Sequence, residues 1–255
     1  MLQVKKITRT IPSIFIDRKY WIPRIWSNRE LEKFAHFFSG DIVNVSGWQD
    51  GDKEGRKYKD YFINASSYTI TNYKTEACGL QGYTNEIYLD LEDEIPEELL
   101  NKFDVVFNHT VLEHIYQFNT AFKNLCLISR DIVLLVVPFL QQMHTEYGDY
   151  WRFTPLTIKR MFEENGMSLL YLSFNGHKNA SVYIFCIATK NQTKWHEKIQ
   201  GEFSYTEKRK PLDDFEAYIG CHAIQNDFYT LLNFGKKIKN ILLNRQVHNA
   251  SNKIV

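Results

Sequence analysis

Nowhere in this sequence do about 18 apolar residues follow one another, so it holds no candidate transmembrane helix. Cysteine is scarce: Cys78, Cys126, Cys186 and Cys221 are scattered, and no pair has the C-x-x-C spacing of a zinc knuckle or a redox motif. Cys126 and Cys186 lie in apolar runs and read as reduced core thiols. Neither sign of charge is in excess. Lys and Arg total 31 against 30 for Asp and Glu, a net charge of +1, which removes any global attraction to nucleic acid. No secretory signal pattern opens the sequence, so the expected location is the cytoplasm. No G-x-G-x-x-G follows the first predicted strand, which argues against a nicotinamide oxidoreductase. Asp50, Asp52 and Glu54 are a poor match to a calcium loop; the reading there is a solvated acidic loop and no metal.

What is present is globular material, 44% hydrophobic and unusually rich in aromatics at 15%. Short apolar runs alternate with amphipathic segments. Strands are predicted at 41–46, 67–71, 86–91, 103–107, 132–137, 168–174 and 181–189, and the 175–179 turn joining the last two demands that they pair antiparallel. Helices are predicted from Ser27, which with Glu30 forms a capping-box pattern, to Gly40, and at 56–62, 120–128 and 155–164. A second capping box is read at Thr110 and Glu113, with Glu113 bonding the Thr110 amide and His114 as support. Together these describe an α/β fold, a doubly wound, mostly parallel seven-stranded sheet with an antiparallel terminal hairpin. The domain spans 1–190, with its core at 41–190 and an N-terminal arm and helix at 1–40. From 191 to 255 the chain turns polar, with a helical segment at 228–243 and a tail that reads as disordered. Lys236, Lys237, Lys239 and Arg245 give the 228–245 region a basic face, so it is either docked on the domain or a peripheral contact with the inner membrane surface.

The stretch 131–155, DIVLLVVPFLQQMHTEYGDYWRFTP, organises the rest. Uniform apolarity over 132–137 suits a strand buried on both faces, and Pro138 is expected to end it. Thr154-Pro155 supplies an N-cap and a first helical residue. Between them a loop dense in His, Asp, Arg and aromatic groups is delivered to the mouth of the sheet, where open α/β folds bind ligands. His144 is the candidate proton acceptor, against a reading in which it only hydrogen-bonds within the loop. Asp149 and Arg152 form either an ion pair fixing the loop or, with Tyr150, a sugar- or phosphate-binding edge.

Three places, VNVSG at 43–47, FDVVFNHTVLEH at 103–114 and VPFLQQMHTEYGDYWRFTP at 137–155, resemble the class I S-adenosylmethionine-dependent methyltransferases, in particular the type 11-like proteins of bacterial polysaccharide and glycan loci. The resemblance implies a Rossmann-like fold, S-adenosyl-L-methionine as cofactor, and O-methylation of a small-molecule or glycan acceptor. It would place Ser46 and Gly47 under the methionine part of the cofactor, Asn72 at its ribose, Asp90 and Leu91 beside the adenine, and Asn108 and His109 along it after the fourth strand. His144, Asp149, Tyr150 and Arg152 would face the acceptor. The sequence departs from the pattern in two places. S-G-W-Q-D-G stands where a glycine-rich turn is usual, and Asn72 stands where an acid would bind both ribose hydroxyls, with Glu76 nearby. Those departures support the alternative reading, a catalytically silent scaffold or binding protein of glycan assembly.

Overall fold

A computed structural model describes residues 18–73, 79–144, 148–177, 180–199, 206–208, 216–218, 220, 235 and 238. Helix α1 (Arg18–Phe34) leads into strand β1 (Ser39–Val45), followed by β2 (Asn64–Asn72), β3 (Glu86–Tyr88) and β4 (Phe103–His109). Helix α2 (Phe118–Ile128), β5 (Ser129–Leu140), α3 (Pro155–Glu164), β6 (Ser168–Phe174) and β7 (Val182–Thr189) complete the domain. The seven strands form one sheet in the order β3-β2-β1-β4-β5-β7-β6. β1 pairs parallel with β2 and β4, and β4 parallel with β5, whereas β7 runs antiparallel to both β5 and β6. This is the doubly wound sheet with an antiparallel hairpin that the alternation of runs predicts.

The central strand explains why the sheet needs two covering layers. Along β5, Ile132, Leu134 and Val136 join a core with Leu31 of α1 and Ala35 just past its end, together with Phe38, Phe107 and Phe185. Val133, Leu135 and Val137 join the opposite core with Phe122 and Leu125 of α2 and Ile158 and Phe162 of α3. Alternate side chains thus point to opposite faces, and an unbroken apolar run buries both. The free thiols Cys126 and Cys186 are buried in the second core, as expected.

Three expectations about elements are corrected. Ser27 does not cap a helix: α1 begins at Arg18 and carries Pro23 internally, so 18–26 is helix and not arm. Glu30 instead accepts from Tyr171 at 2.7 Å and Ser173 at 3.0 Å on β6. Pro138 does not end β5, which continues to Leu140. Pairing with β4 stops at Val136, so Pro138 lies where β5 has become an edge on that side, and the β7 register shifts between Pro138 and Leu140. A missing N–H costs little at such a place. The segment expected as a helix at 56–62 is a single 3-10 turn, Tyr58–Tyr61.

Beyond β7, a short helix α4 (Gln192–Trp195) is anchored by Trp195 Nε1 donating to Asp131 Oδ2 at 2.9 Å, and a two-stranded ribbon, β8 (Thr206–Lys208) and β9 (Glu216–Tyr218), follows. Apart from Gly235 and Ile238, both helical, the basic 228–245 segment lies outside the described residues, as do the tail, Cys78, Cys221 and Glu76. Among the described residues no helix is long and apolar enough to cross a membrane.

Candidate functional site

The carboxyl ends of β4 and β5 diverge, and the two sequence runs that follow them close on one another. After β4, Thr110 adopts a left-handed φ of +52°, its N–H donating to Val136 O at 2.8 Å, and the chain makes a 3-10 turn at Leu112–His114. The loop after β5 returns onto that turn. Tyr150 N donates to Glu113 O at 2.8 Å, and Trp151 Nε1 to Tyr116 O at 3.1 Å. His114 Nδ1 donates to Gly148 O at 2.6 Å, and Phe153 N to Pro138 O at 3.1 Å. A Thr154 N-cap, accepting from Thr157 N at 3.2 Å, then launches α3.

At the centre of this loop Arg152 grips Asp149 with both guanidinium ends, Nη2 donating to Oδ2 at 2.7 Å. Arg152 also donates to Gln141 O at 3.1 Å and Gln142 O at 3.1 Å, tying both arms of the loop together. Asp149 Oδ2 accepts from His144 N at 2.7 Å and lies 3.3 Å from His144 Nδ1. Burial alone would raise the Asp149 carboxyl; Arg152 and the His144 amide outweigh it and hold the group down at about 2. Burial lowers His144 against the pull of Asp149, which leaves the imidazole neutral near pH 7 with 28% of its side chain exposed. The ion-pair reading of Asp149 and Arg152 therefore holds. Tyr150 stands clear of it, 53% exposed, edge-on to the ring of the exposed Tyr116 at 5.4 Å.

Glu113 does not cap anything. The turn begins after Val111 without a side-chain cap, because the positive φ of Thr110 turns the chain out of helical approach. The Glu113 side chain goes inward instead, fully buried, and neither carboxyl oxygen has a hydrogen-bond partner among the described residues. His114 Nε2, on a ring whose pKa burial lowers, lies 3.7 Å from Oε1. Burial pushes the carboxyl up to about 8. The sequence offers no sign of this, since a Glu three residues after a Thr reads as a cap.

On the other side of β4, the loop after β1 folds onto the end of β2. Ser46, Trp48 and Asp50 all have positive φ (55°, 47° and 58°), a costly backbone that the surrounding bonds hold in place. Ser46 N donates to Thr71 Oγ1 at 3.1 Å, Gly47 N to Thr71 O at 3.1 Å, and Trp48 N to Asn72 Oδ1 at 2.7 Å. Only glycine fits at 47, where a Cβ would come within 2.6 Å of Asn44 Nδ2. Asn72 Nδ2 donates back to Trp48 O at 3.1 Å and to Glu86. Both ends of the amide are therefore spent on the protein. Glu86 is further held by the amides of Gln81, Gly82 and Tyr83, which with Asn72 overcome its burial and lower its pKa.

The acidic loop is solvated only in part: Glu54 and its neighbours are exposed, but the two aspartates, expected in water, are not. Asp52 is fully buried and accepts from the amides of Glu54, Gly55 and Arg56 and from Tyr61 Oη at 2.9 Å; Asp50 is buried against Asn44 and Tyr68. Local amides satisfy these carboxylates where sequence alone suggests water. Among the described residues no cluster of His, Cys, Asp or Glu is arranged to hold a metal.

His109 is half-buried with both ring nitrogens engaged, Nε2 with Ser27 Oγ at 2.8 Å and Nδ1 with Thr110 Oγ1 at 3.1 Å. Burial and Arg24 keep its pKa well below the ordinary imidazole value. It fastens α1 to the end of β4, a contact that joins residues 82 positions apart and leaves no trace in local sequence. Asn108 is buried beside it, donating to Val45 O at 3.1 Å, while its Oδ1 has no partner among the described residues. Asp90 is half-buried past β3, one oxygen accepting from Glu92 N at 2.9 Å, and Leu91 is packed into the core.

No protein-family model and no curated protein matches the chain. Among solved structures it is similar to magnesium protoporphyrin IX methyltransferase of Synechocystis with bound S-adenosylhomocysteine, at 9% identity over 69% of this chain and 88% of that one, with a TM-score of 0.46. It is also similar to 1,6-didemethyltoxoflavin-N1-methyltransferase of Burkholderia thailandensis, at 13% identity over 73% of this chain and 90% of that one, with a TM-score of 0.45. Scores this low carry no weight for the site; the fold rests on the strand order and register of the chain itself.

Proposed function

We propose that this chain is an S-adenosylmethionine-dependent methyltransferase that O-methylates a sugar of a surface glycan or of its precursor. The observation that carries the reading is the acceptor loop: a neutral His144 set against the half-buried Asp149–Arg152 pair at the mouth of the doubly wound sheet. The cofactor, when bound, supplies an electrophilic methyl group. The chain's own residues fit it in part. The Asn108 Oδ1 at the end of β4, without a partner among the described residues, can accept an N–H, and Asp90 provides a polar contact past β3 with Leu91 packed into the core behind it. Ser46 and Gly47 turn the backbone at the end of β1. On the acceptor side, His144 takes the proton of the attacking hydroxyl, Asp149 orients the imidazole, and Arg152 holds Asp149 in place. Tyr150 and Tyr116 offer aromatic faces to a sugar ring.

A second reading is favoured by one specific observation. Because Asn72 is committed to Trp48 and Glu86, no free acid or amide among the described residues at the end of β2 meets the ribose hydroxyls, as a catalytically silent scaffold would allow. Calorimetric titration with S-adenosylhomocysteine separates the two. The expected result is saturable binding in wild type, nearly unchanged in His144→Ala, together with loss of methyl transfer in that variant. Absence of binding at millimolar ligand sinks the enzyme reading.

A further inference from the structure

A single aromatic ring in water is ordinary on a protein surface, but two of them fixed against one another at the mouth of a site call for a partner. Tyr116 and Tyr150 are such a pair, 68% and 53% exposed. Their ring centres lie 5.4 Å apart with the planes at 80°, so the rings meet as the two walls of an open corner.

Both walls are held from behind. Tyr150 N donates to Glu113 O at 2.8 Å. The Tyr150 ring lies against Gly148, where a Cβ would come within 2.7 Å of Tyr150 Cε2 and where the φ of +108° suits glycine. Tyr116 O accepts from Trp151 Nε1 at 3.1 Å, and the two rings are 6.2 Å apart. Trp151 packs on Phe118 at 4.6 Å, and Phe118 on the buried Phe153 at 5.4 Å. A column of rings thus runs from the core outward and ends in the two tyrosines. A ligand that docks there meets surfaces already in place, at little cost in side-chain ordering.

The corner lies next to the candidate base and outside it. Tyr150 directly follows Asp149, whose carboxylate is 3.3 Å from His144 Nδ1, and both tyrosines are more exposed than the His144 side chain. The polar groups of the same loop are close to charge balance: Arg152 is paired with Asp149, and burial lowers the pKa of His114 and of His144. Flat apolar faces beside balanced polar groups suit a neutral carbohydrate, which offers a C–H face to a ring and hydroxyls to a polar edge.

We propose that Tyr116 and Tyr150 form a subsite for a second sugar unit, so that the acceptor is an oligosaccharide or polysaccharide with one unit at His144 and its neighbour in the corner. The inference deepens the proposed function and rests on it for the reacting sugar. The two tyrosines are then binding residues that select acceptor length; they take no proton and touch no reacting atom.

The test measures binding of the full chain to an array printed with bacterial surface polysaccharides, their oligosaccharide fragments and the single sugars that compose them. Wild type is expected to bind the fragments and not the single sugars. Tyr116→Ala and Tyr150→Ala are each expected to weaken that binding by about tenfold, and Tyr116→Phe and Tyr150→Phe to retain it, because the ring face makes the contact. Both side chains are exposed, so the thermal midpoint stays unchanged. Failure to bind any printed glycan, equal binding of single sugars and fragments, or alanine variants that bind like wild type overturns the proposal. Tyrosine-dependent pelleting with phosphatidylglycerol vesicles in place of glycan binding also overturns it and makes the corner a lipid contact. If tyrosine-dependent glycan binding is found while S-adenosylhomocysteine fails to bind, the subsite stands and the methyltransferase reading falls. If S-adenosylhomocysteine binds and glycan binding ignores the tyrosines, the reverse holds.

Discussion

Glu113 and Asp149 are both buried carboxylates a few ångströms from the same loop, yet their surroundings drive them in opposite directions. Asp149 has a bidentate guanidinium and a backbone amide, and stays ionised; Glu113 has neither, and holds its proton. The difference has a measurable consequence for stability. The folded pKa of Glu113, about 8, lies above the ordinary value of 4.5, so the folded state binds the extra proton. Stability is therefore greatest below pH 4.5 as far as this group is concerned, and it declines as pH rises toward 8. Glu113→Gln removes that decline. Urea unfolding is expected to show the variant gaining on wild type between pH 5 and pH 8.5, by up to roughly 4 kcal/mol. A difference that does not change with pH counts against a protonated Glu113. None of this is visible in the run FDVVFNHTVLEH, because the same letters spell a capping box, and only the left-handed Thr110 decides between them.

Among the elements, α3 is the one that local chemistry specifies most completely. Thr154 caps it, Pro155 starts it, and Ile158, Met161 and Phe162 bury one face, as the spacing predicts. Thr154→Ala is expected to destabilise the chain by about 1 kcal/mol, read as a lower urea midpoint with unchanged slope. The helix α1 is the opposite case. Its first two turns contain Pro23 and lack a clear apolar period, so the sequence reads as an arm; long-range contacts from Ser27 to His109 and from Asn28 to Asp52 O at 2.8 Å hold it over the ends of β1 and β4. β5 outlasts Pro138 for a similar reason, since its neighbour β4 has already ended.

For the molecule as a whole, the sheet is the common support of both halves of the site, and Leu135 at its centre is wholly buried among α2, α3 and β7 neighbours. Leu135→Ala is expected to cost about 3 kcal/mol, seen as a fall in thermal midpoint. The β1–β2 side and the β4–β5 side differ in how fully their polar groups are paired among the described residues. Around β1 and β2 the loop amides, Asn72 and Glu86 satisfy one another; around β4 and β5 an amide oxygen and a carboxylic acid are left over.

By itself the sequence determined the strands, their alternation with helices and the antiparallel hairpin, because each depends on residues close together in the chain; it left Asp149 and Arg152 open between an ion pair and a binding edge. Period-2 burial, a three-residue cap and a five-residue turn act within reach of the backbone that carries them. Only the tertiary structure decided where Asn72, Glu113, His109 and the buried Asp52 spend their hydrogen bonds. A polar side chain takes whichever partner folding brings within about 3 Å, and for three of these four the deciding partner, or its absence, is settled by distant parts of the chain. Asp52 is the exception: amides two to four residues on, and Tyr61 nine residues on, satisfy it once the loop has closed.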